Sequence, residues 1–245
     1  MTYQELFGTQ KPVMAMLHLK ADANMGMMER AVKEAECYLQ HGVEALLVEN
    51  YFGSDHDCEK VLAWLKQEHP EAIYGVNVLG GDAIAFELAD KYDAKFVQID
   101  SVCGHLRPKQ DEAYARELNA YRAHSKALLF GGVRFKYQMV RSGRSLEEDL
   151  LLARERCDAI VVTGEGTGLK TPMEKVAEFR SIVGDFPLIV GAGVTLDTVE
   201  ETFLNGDGAI IGSYFKTDHR DIGDVEPAFV QALMQKKREV EAIRP

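Results

Sequence analysis

Short apolar runs alternate with amphipathic stretches along the whole chain. Residues 13–18 form the first apolar run, and residues 27–40 then repeat apolar positions at helical spacing until His41-Gly42 interrupts them. The same order recurs in 44–50 with 57–68, 72–79 with 83–91, 95–101 with 112–124, 126–136 with 146–156, and 158–163 with 173–183. Gly80-Gly81 separates the third strand from its helix, with Asp82 placed as the cap, and Thr171-Pro172 opens the sixth helix in the order cap, then proline. The run 187–213 carries two more strands, one ending in Gly191-Ala192-Gly193 and one in Gly212-Ser213, and a last helix spans 226–241. Eight such units with no hairpin signal between them predict an α/β fold: a single (β/α)8 TIM barrel over 1–245, of the phosphate-binding-barrel type. An open doubly wound sheet is the competitor, but its dinucleotide fingerprint is missing. The glycine-rich Gly164-Glu165-Gly166-Thr167-Gly168 follows the sixth strand and lacks the third glycine at the required spacing.

Barrel strands alternate between the helix layer and the interior, so the apolar phase of each strand says where its polar residues point. On that phase Leu46 and Val48 face the helices while Ala45, Leu47 and Glu49 face inward, and Val76 and Val78 leave Asn77 inside. In the fourth strand Val97 and Ile99 face out, with Phe96, Gln98 and Asp100 inside. In the fifth, Val133 and Phe135 face out and Arg134 and Lys136 in. His18, above Met14 and Met16, and Thr163 complete the set. All lie at the C-terminal ends of their strands, the face on which barrel enzymes carry their chemistry. Charge buried there costs several kcal/mol, on the order of a folding defect, unless it is paired or meets a ligand.

Composition narrows the partner. With 28 basic and 39 acidic residues the formal charge is −11, which disfavours nucleic acid and requires an anion to be caught locally. The glycine-ended turns at Gly191, Gly193, Gly212 and Ser213 offer backbone N–H groups where helices begin and predict such a phosphate cup. The four cysteines are scattered without metal-site spacing and read as reduced packing residues of a cytoplasmic protein. No integral membrane segment is predicted, and no motif calls for a metal or another cofactor.

Within this ring Glu49 and Asp100 are expected to be an acid/base pair, with Lys136 and Arg134 holding anionic groups or tuning the carboxylates. His18, Asn77, Gln98 and Thr163 would position substrate. Lys136 has a second possible role as a Schiff-base nucleophile. Each residue also has a purely structural alternative: a core histidine, an amide stitching strands, buried ion pairs, glycines that only serve turns. Met25, Met27 and Met28 read as lid or packing residues, and no role is assigned to His56, His69, His124 or His219. Two functions compete on these residues: an isomerase or lyase acting on a small phosphorylated sugar or ribosyl compound, and a ribosyl or glycosyl hydrolase using the same two carboxylates. A homo-oligomer is compatible with both.

Val48-Glu49-Asn50, Gly75-Val76-Asn77-Val78-Leu79, the run 161–168, Val190-Gly191-Ala192-Gly193-Val194-Thr195, and Ile211-Gly212-Ser213 with Lys216 together resemble the BtpA/SgcQ family over nearly the whole chain. The resemblance implies a (β/α)8 barrel, a cytoplasmic or membrane-peripheral location, and kinship with phosphate-binding barrels; the family name adds a role in photosystem I accumulation but no reaction, and so implies a third function, a non-catalytic assembly factor for a membrane protein complex. Gln98 and Asp100 stand where the family pattern leads one to expect a basic residue and an amide, and Tyr137 where it leads one to expect histidine. Those departures imply a substrate of this chain's own.

Overall fold

The computed structural model describes residues 1–243, so the last two positions of the expected 1–245 span lie outside the described residues. Eight parallel strands close into a barrel in sequence order: β1 Val13–Leu17, β2 Ala45–Glu49, β3 Tyr74–Asn77, β4 Phe96–Cys103, β5 Leu128–Val133, β6 Ala159–Val162, β7 Leu188–Val190 and β8 Gly208–Ile211. A first helix, α1 Tyr3–Phe7, precedes β1. The barrel helices are α2 Met27–Gln40, α3 Asp55–Glu68, α4 Asp82–Tyr92, α5 Pro108–His124, α6 Leu146–Arg156, α7 Met173–Val183, α8 Val199–Asn205 and α9 Pro227–Ala242. The expected (β/α)8 barrel is therefore the observed fold.

Alternation builds two separate cores. Val13, Ala15, Leu46, Val48, Val76, Val97 and Ile99 pack outward against the helices, while Met14, Met16, Ala45, Leu47, Phe96, Phe130, Val161 and Ile210 fill the barrel. Burying each large apolar side chain contributes about 1.5–3 kcal/mol, so both layers stabilise the barrel. Phe96 stacks on Phe130 at 4.5 Å, and Gly75 leaves room for the Phe96 ring: a Cβ there would lie 2.3 Å from it. The sequence reading missed α1. Its Tyr3 and Phe7 join the interior core, and Tyr3 Oη donates to the Asp207 carbonyl (2.9 Å), closing the N-terminal end of the barrel. Two caps also differ from expectation. Asp82 is the first residue of α4 rather than its cap, and Pro172, not Thr171, sits at the cap position of α7. Thr171 is freed to join two loops, accepting from Gly164 N and donating to the Ala192 carbonyl, both at 2.9 Å.

The fifth strand departs most from its expected phase. After Val133 the backbone turns left-handed at Arg134 (φ 47°), and this single residue reverses the alternation. Phe135 consequently belongs to the interior core, and Arg134 leaves the barrel mouth. Its guanidinium runs to Asp149, with Nε 3.2 Å from Oδ2, and to the Arg144 carbonyl at 2.9 Å. Asp149 is fully buried and also accepts from Arg144 and Ser142, while Asp111 accepts from Arg144 and Arg156. The buried carboxylates behind β4 and β5 need these cations, so Arg134 serves the ion network and not the substrate.

Candidate functional site

At the C-terminal end of the barrel lies a cavity of about 230 Å³. His18, Glu49, Gln98, Asp100, Lys136, Gly191, Gly193, Gly212 and Ser213 all line it, so six strand ends meet around one space. Asn77 lies between the carboxylates. Its Nδ2 donates to Glu49 Oε1 (2.9 Å) and to Asp100 Oδ1 (3.1 Å), which uses both amide protons. Gln98 Nε2 adds a second donor to Asp100 Oδ1 at 3.2 Å. β2, β3 and β4 are neighbours, and the register that sets Glu49 beside Asn77 makes this bridge a direct result of strand pairing.

The two carboxylates are not equivalent. Burial and the Asp100 charge push the Glu49 carboxyl up to about 8, against relief from Lys136, Asn77 and Lys216. Asp100 is also raised by burial, but the donors Asn77 and Gln98 and the Lys136 charge favour its ionised form. Of the two, Glu49 is therefore the stronger proton holder and Asp100 the one whose ionised form its neighbours favour. His18 faces Glu49, with Nε2 3.8 Å from Oε2, and its ring packs against that of Tyr51, tilted by 35° with centroids 5.0 Å apart. Burial and the charges of Lys216 and Lys136 hold its pKa well below the ordinary value, the Asp221 backbone opposing them; the imidazole is therefore neutral.

Lys136 keeps its place at the mouth through the loop after β5. Its backbone N donates to Thr163 Oγ1 (2.8 Å) and its Nζ to Thr167 Oγ1 (3.1 Å). Thr163 is fully buried and does not line the cavity, so the expectation that it touches substrate is corrected: it anchors the Lys136 backbone. Asn77 likewise acts on the carboxylates rather than at the cavity wall.

The turn after β7 is not a helix start. α8 begins only at Val199, and the segment 191–198 is a loop in which Gly193 takes φ 65°. A Cβ on Gly193 would lie 2.3 Å from the Leu169 carbonyl, so this turn packs directly on the loop after β6. After β8 a 3-10 turn, Ser213–Phe215, follows Gly212 at once. Among the described residues, the backbone N–H groups of Gly193, Val194 and Ser213 donate to no protein acceptor. The bare donors that the cup requires thus come from turns. Gly212 has a further reason to be glycine, since a Cβ there would lie 2.9 Å from His18 Cε1. Gly212→Ala is expected to displace the imidazole and cost about 1–3 kcal/mol in urea unfolding. His18 ring resonances that do not move in this variant would contradict that packing.

Lys216, assigned in the sequence only to the family motif, does not line the cavity: it is 1% exposed, its ammonium lies 3.3 Å from the Asp221 carbonyl and 3.8 Å from Glu34, and burial lowers its pKa. Other residues do line the cavity without having been assigned to it from the sequence. Tyr51, Tyr137 and His219 reach the cavity from loops with no periodic pattern, and His219 stacks on Tyr214 at 4.7 Å rather than facing bulk solvent alone. No helix among the described residues is long and apolar enough to cross a membrane.

An uncharacterized protein of Methanocaldococcus jannaschii, MJ1115, is 28% identical to this chain over 89% of its length and 91% of the relative. The photosystem I biogenesis protein BtpA of Synechocystis is 26% identical over 96% of this chain and 91% of the relative. Phosphoribosyl anthranilate isomerase from Thermus thermophilus superposes with a TM-score of 0.62 at 12% identity, covering 94% of this chain and 99% of that one, a likeness of fold. The BtpA family model matches residues 9–239, and the chain belongs to the BtpA family.

Proposed function

We propose that this barrel is an enzyme acting on a small phosphorylated sugar or ribosyl compound by proton transfer, in the manner of an isomerase or lyase. The observation that carries the reading is the pairing of two carboxylates of unequal proton affinity, bridged by Asn77, in the same cavity as the glycine turns after β7 and β8. Protonated Glu49 supplies a general acid and ionised Asp100 a base, and Lys136 stands beside them as the cation. The phosphate lies against Gly191, Gly193, Gly212 and Ser213, held by the turn N–H groups of Gly193, Val194 and Ser213; the Gly191 N–H is not one of these donors, since the Val162 carbonyl takes it at 2.8 Å. Phosphoribosyl anthranilate isomerase, named for a phosphoribosyl compound, lends the phosphate part of the reading support through the shared fold.

The assembly-factor alternative, which the name of the Synechocystis relative raises, calls for a continuous apolar helix face. Among the exposed large apolar residues, Ile84, Leu151 and Leu204 sit singly on α4, α6 and α8. The polar interior ring has no use in that role. A hydrolase would employ the same carboxylates with water, and product analysis separates it from an isomerase.

The test is incubation of the wild type and Glu49→Gln with a panel of sugar and ribosyl phosphates, followed by phosphorus and proton NMR. Conversion of one compound by the wild type, reduced about 10²–10⁴-fold in the variant, is the expected result. Because the acid form of Glu49 does the work, the rate falls as pH rises through about 8. Equal conversion by both proteins would remove Glu49 from the chemistry.

A further inference from the structure

A second cavity, about 250 Å³, opens between the ends of β3 and β4 on the far side of Asp100. Asp100 and Leu79 line both cavities, so the two spaces adjoin at Asp100, while Glu49 faces the first alone. The second space has a different chemistry. Asp82, Ser101, His105 and Tyr114 line it, and no lysine or arginine does so among the described residues. Tyr114 Oη donates to Asp82 Oδ2 at 2.8 Å with the Ser101 carbonyl 3.1 Å away, and the His105 ring meets the Tyr114 ring edge-on at 5.4 Å.

Ser101 is the telling residue. It is only 4% exposed, yet its Oγ has no hydrogen-bond partner, and the buried His105 Nδ1 has none either. Buried polar groups are ordinarily satisfied, and an orphaned hydroxyl on the wall of a cavity is a standing cost that a ligand group relieves. Two carboxylates without a cation repel an anion. A hydroxyl both donates and accepts, and so satisfies serine, imidazole and carboxylate together.

We propose that this second cavity binds the polyol end of the substrate, whose phosphate end sits against the turns after β7 and β8. This rests on the anion placement proposed above and extends it. The substrate is then bipartite: phosphate at the β7–β8 side, reacting carbons against the cavity face of the Asn77-bridged Glu49 and Asp100, and at least two free hydroxyls beyond Asp100. A bare phosphate or a short phosphorylated acid leaves the Ser101 side unfilled.

Calorimetric titration of the full-length protein with inorganic phosphate, ribitol 5-phosphate and phosphoethanolamine tests this, with Ser101→Ala and Asp82→Asn as variants. Ser101→Ala removes an unsatisfied hydroxyl and is expected to fold at least as stably as the wild type. Ribitol 5-phosphate is expected to bind the wild type about tenfold or more tighter than phosphate, and both variants to lose most of that gain while keeping phosphate affinity within about twofold. No gain over phosphate, a gain that survives both substitutions, or tighter binding of phosphoethanolamine would overturn the polyol assignment with the phosphate cup intact. If phosphate itself fails to bind, the anion placement falls. Saturation-transfer NMR with free ribitol then decides the second cavity by itself: contact with the wild type that is lost in Ser101→Ala supports it, and no contact overturns it.

Discussion

Glu49→Gln is expected to make the protein more stable while removing its activity. The Glu49 carboxyl rises from 4.5 to about 8 on folding, because burial and Asp100 oppose its charge. A raised acid keeps its proton in the folded state while the unfolded chain releases it. Between about pH 4.5 and 8 folding stability therefore falls as pH rises, and above 8 the full cost remains, up to about 5 kcal/mol by linkage. Glutamine has the same shape, accepts from Asn77 and carries no charge at any pH. It is itself a buried polar group, so the recoverable part is about 1–3 kcal/mol, or about 5 °C in melting temperature for a chain of this length. The gain should be small near pH 5, grow through neutrality and level off above pH 8. Thermal melts of both proteins across that range check it. A variant that melts at the same temperature or lower at pH 9 would show that Glu49 is a stabilising group, and the argument that it is kept for chemistry would fail.

Gly132→Ala is expected to be the most damaging single methyl in the barrel. A Cβ at this position would sit 2.0 Å from the Asp100 carbonyl oxygen and 2.5 Å from the Phe135 ring. A backbone oxygen cannot swing aside as a side-chain tip does, so β4 and β5 must separate. β4 is irregular there, its register against β5 shifting between Ile99 and Cys103, and the close approach at Gly132 accompanies that bulge. Asp100 and Phe135 both line the cavity, and both supply the atoms nearest that Cβ, so their place in it depends on this glycine. A loss of about 3 kcal/mol or more is expected in urea unfolding, at the upper end of the overpacking range. Near-wild-type stability would mean that the strands are not this close.

Much of this was legible in the sequence. The period-two phase of β2, β3 and β4 is carried by Val and Ile on the helix side, and it points Glu49, Asn77, Gln98 and Asp100 inward with no long-range information. The fifth strand was misread because its phase is reversed by one left-handed residue, Arg134, and an apolar Phe135 fits either face. Arg134 is drawn off by Asp149, a partner on α6 that no local pattern reveals. Thr163 and Thr171 looked like site and cap residues but hold loops together, since a buried hydroxyl takes whichever backbone group lies nearest. Lys216 and Ser101 gain their meaning from burial alone, which depends on neighbours distant in sequence.

Everything proposed for this protein depends on the cavity holding a phosphate next to the Glu49–Asp100 pair. The most direct measurement of that placement is the melting temperature of the wild type and Lys136→Met in increasing inorganic phosphate and ribose 5-phosphate. At a hundredfold excess over its dissociation constant a ligand stabilises the folded state by about 2.7 kcal/mol. The wild type is expected to gain several degrees with ribose 5-phosphate and less with phosphate, and Lys136→Met to lose most of both. A wild-type protein that melts at the same temperature with and without millimolar ligand would contradict the phosphate placement.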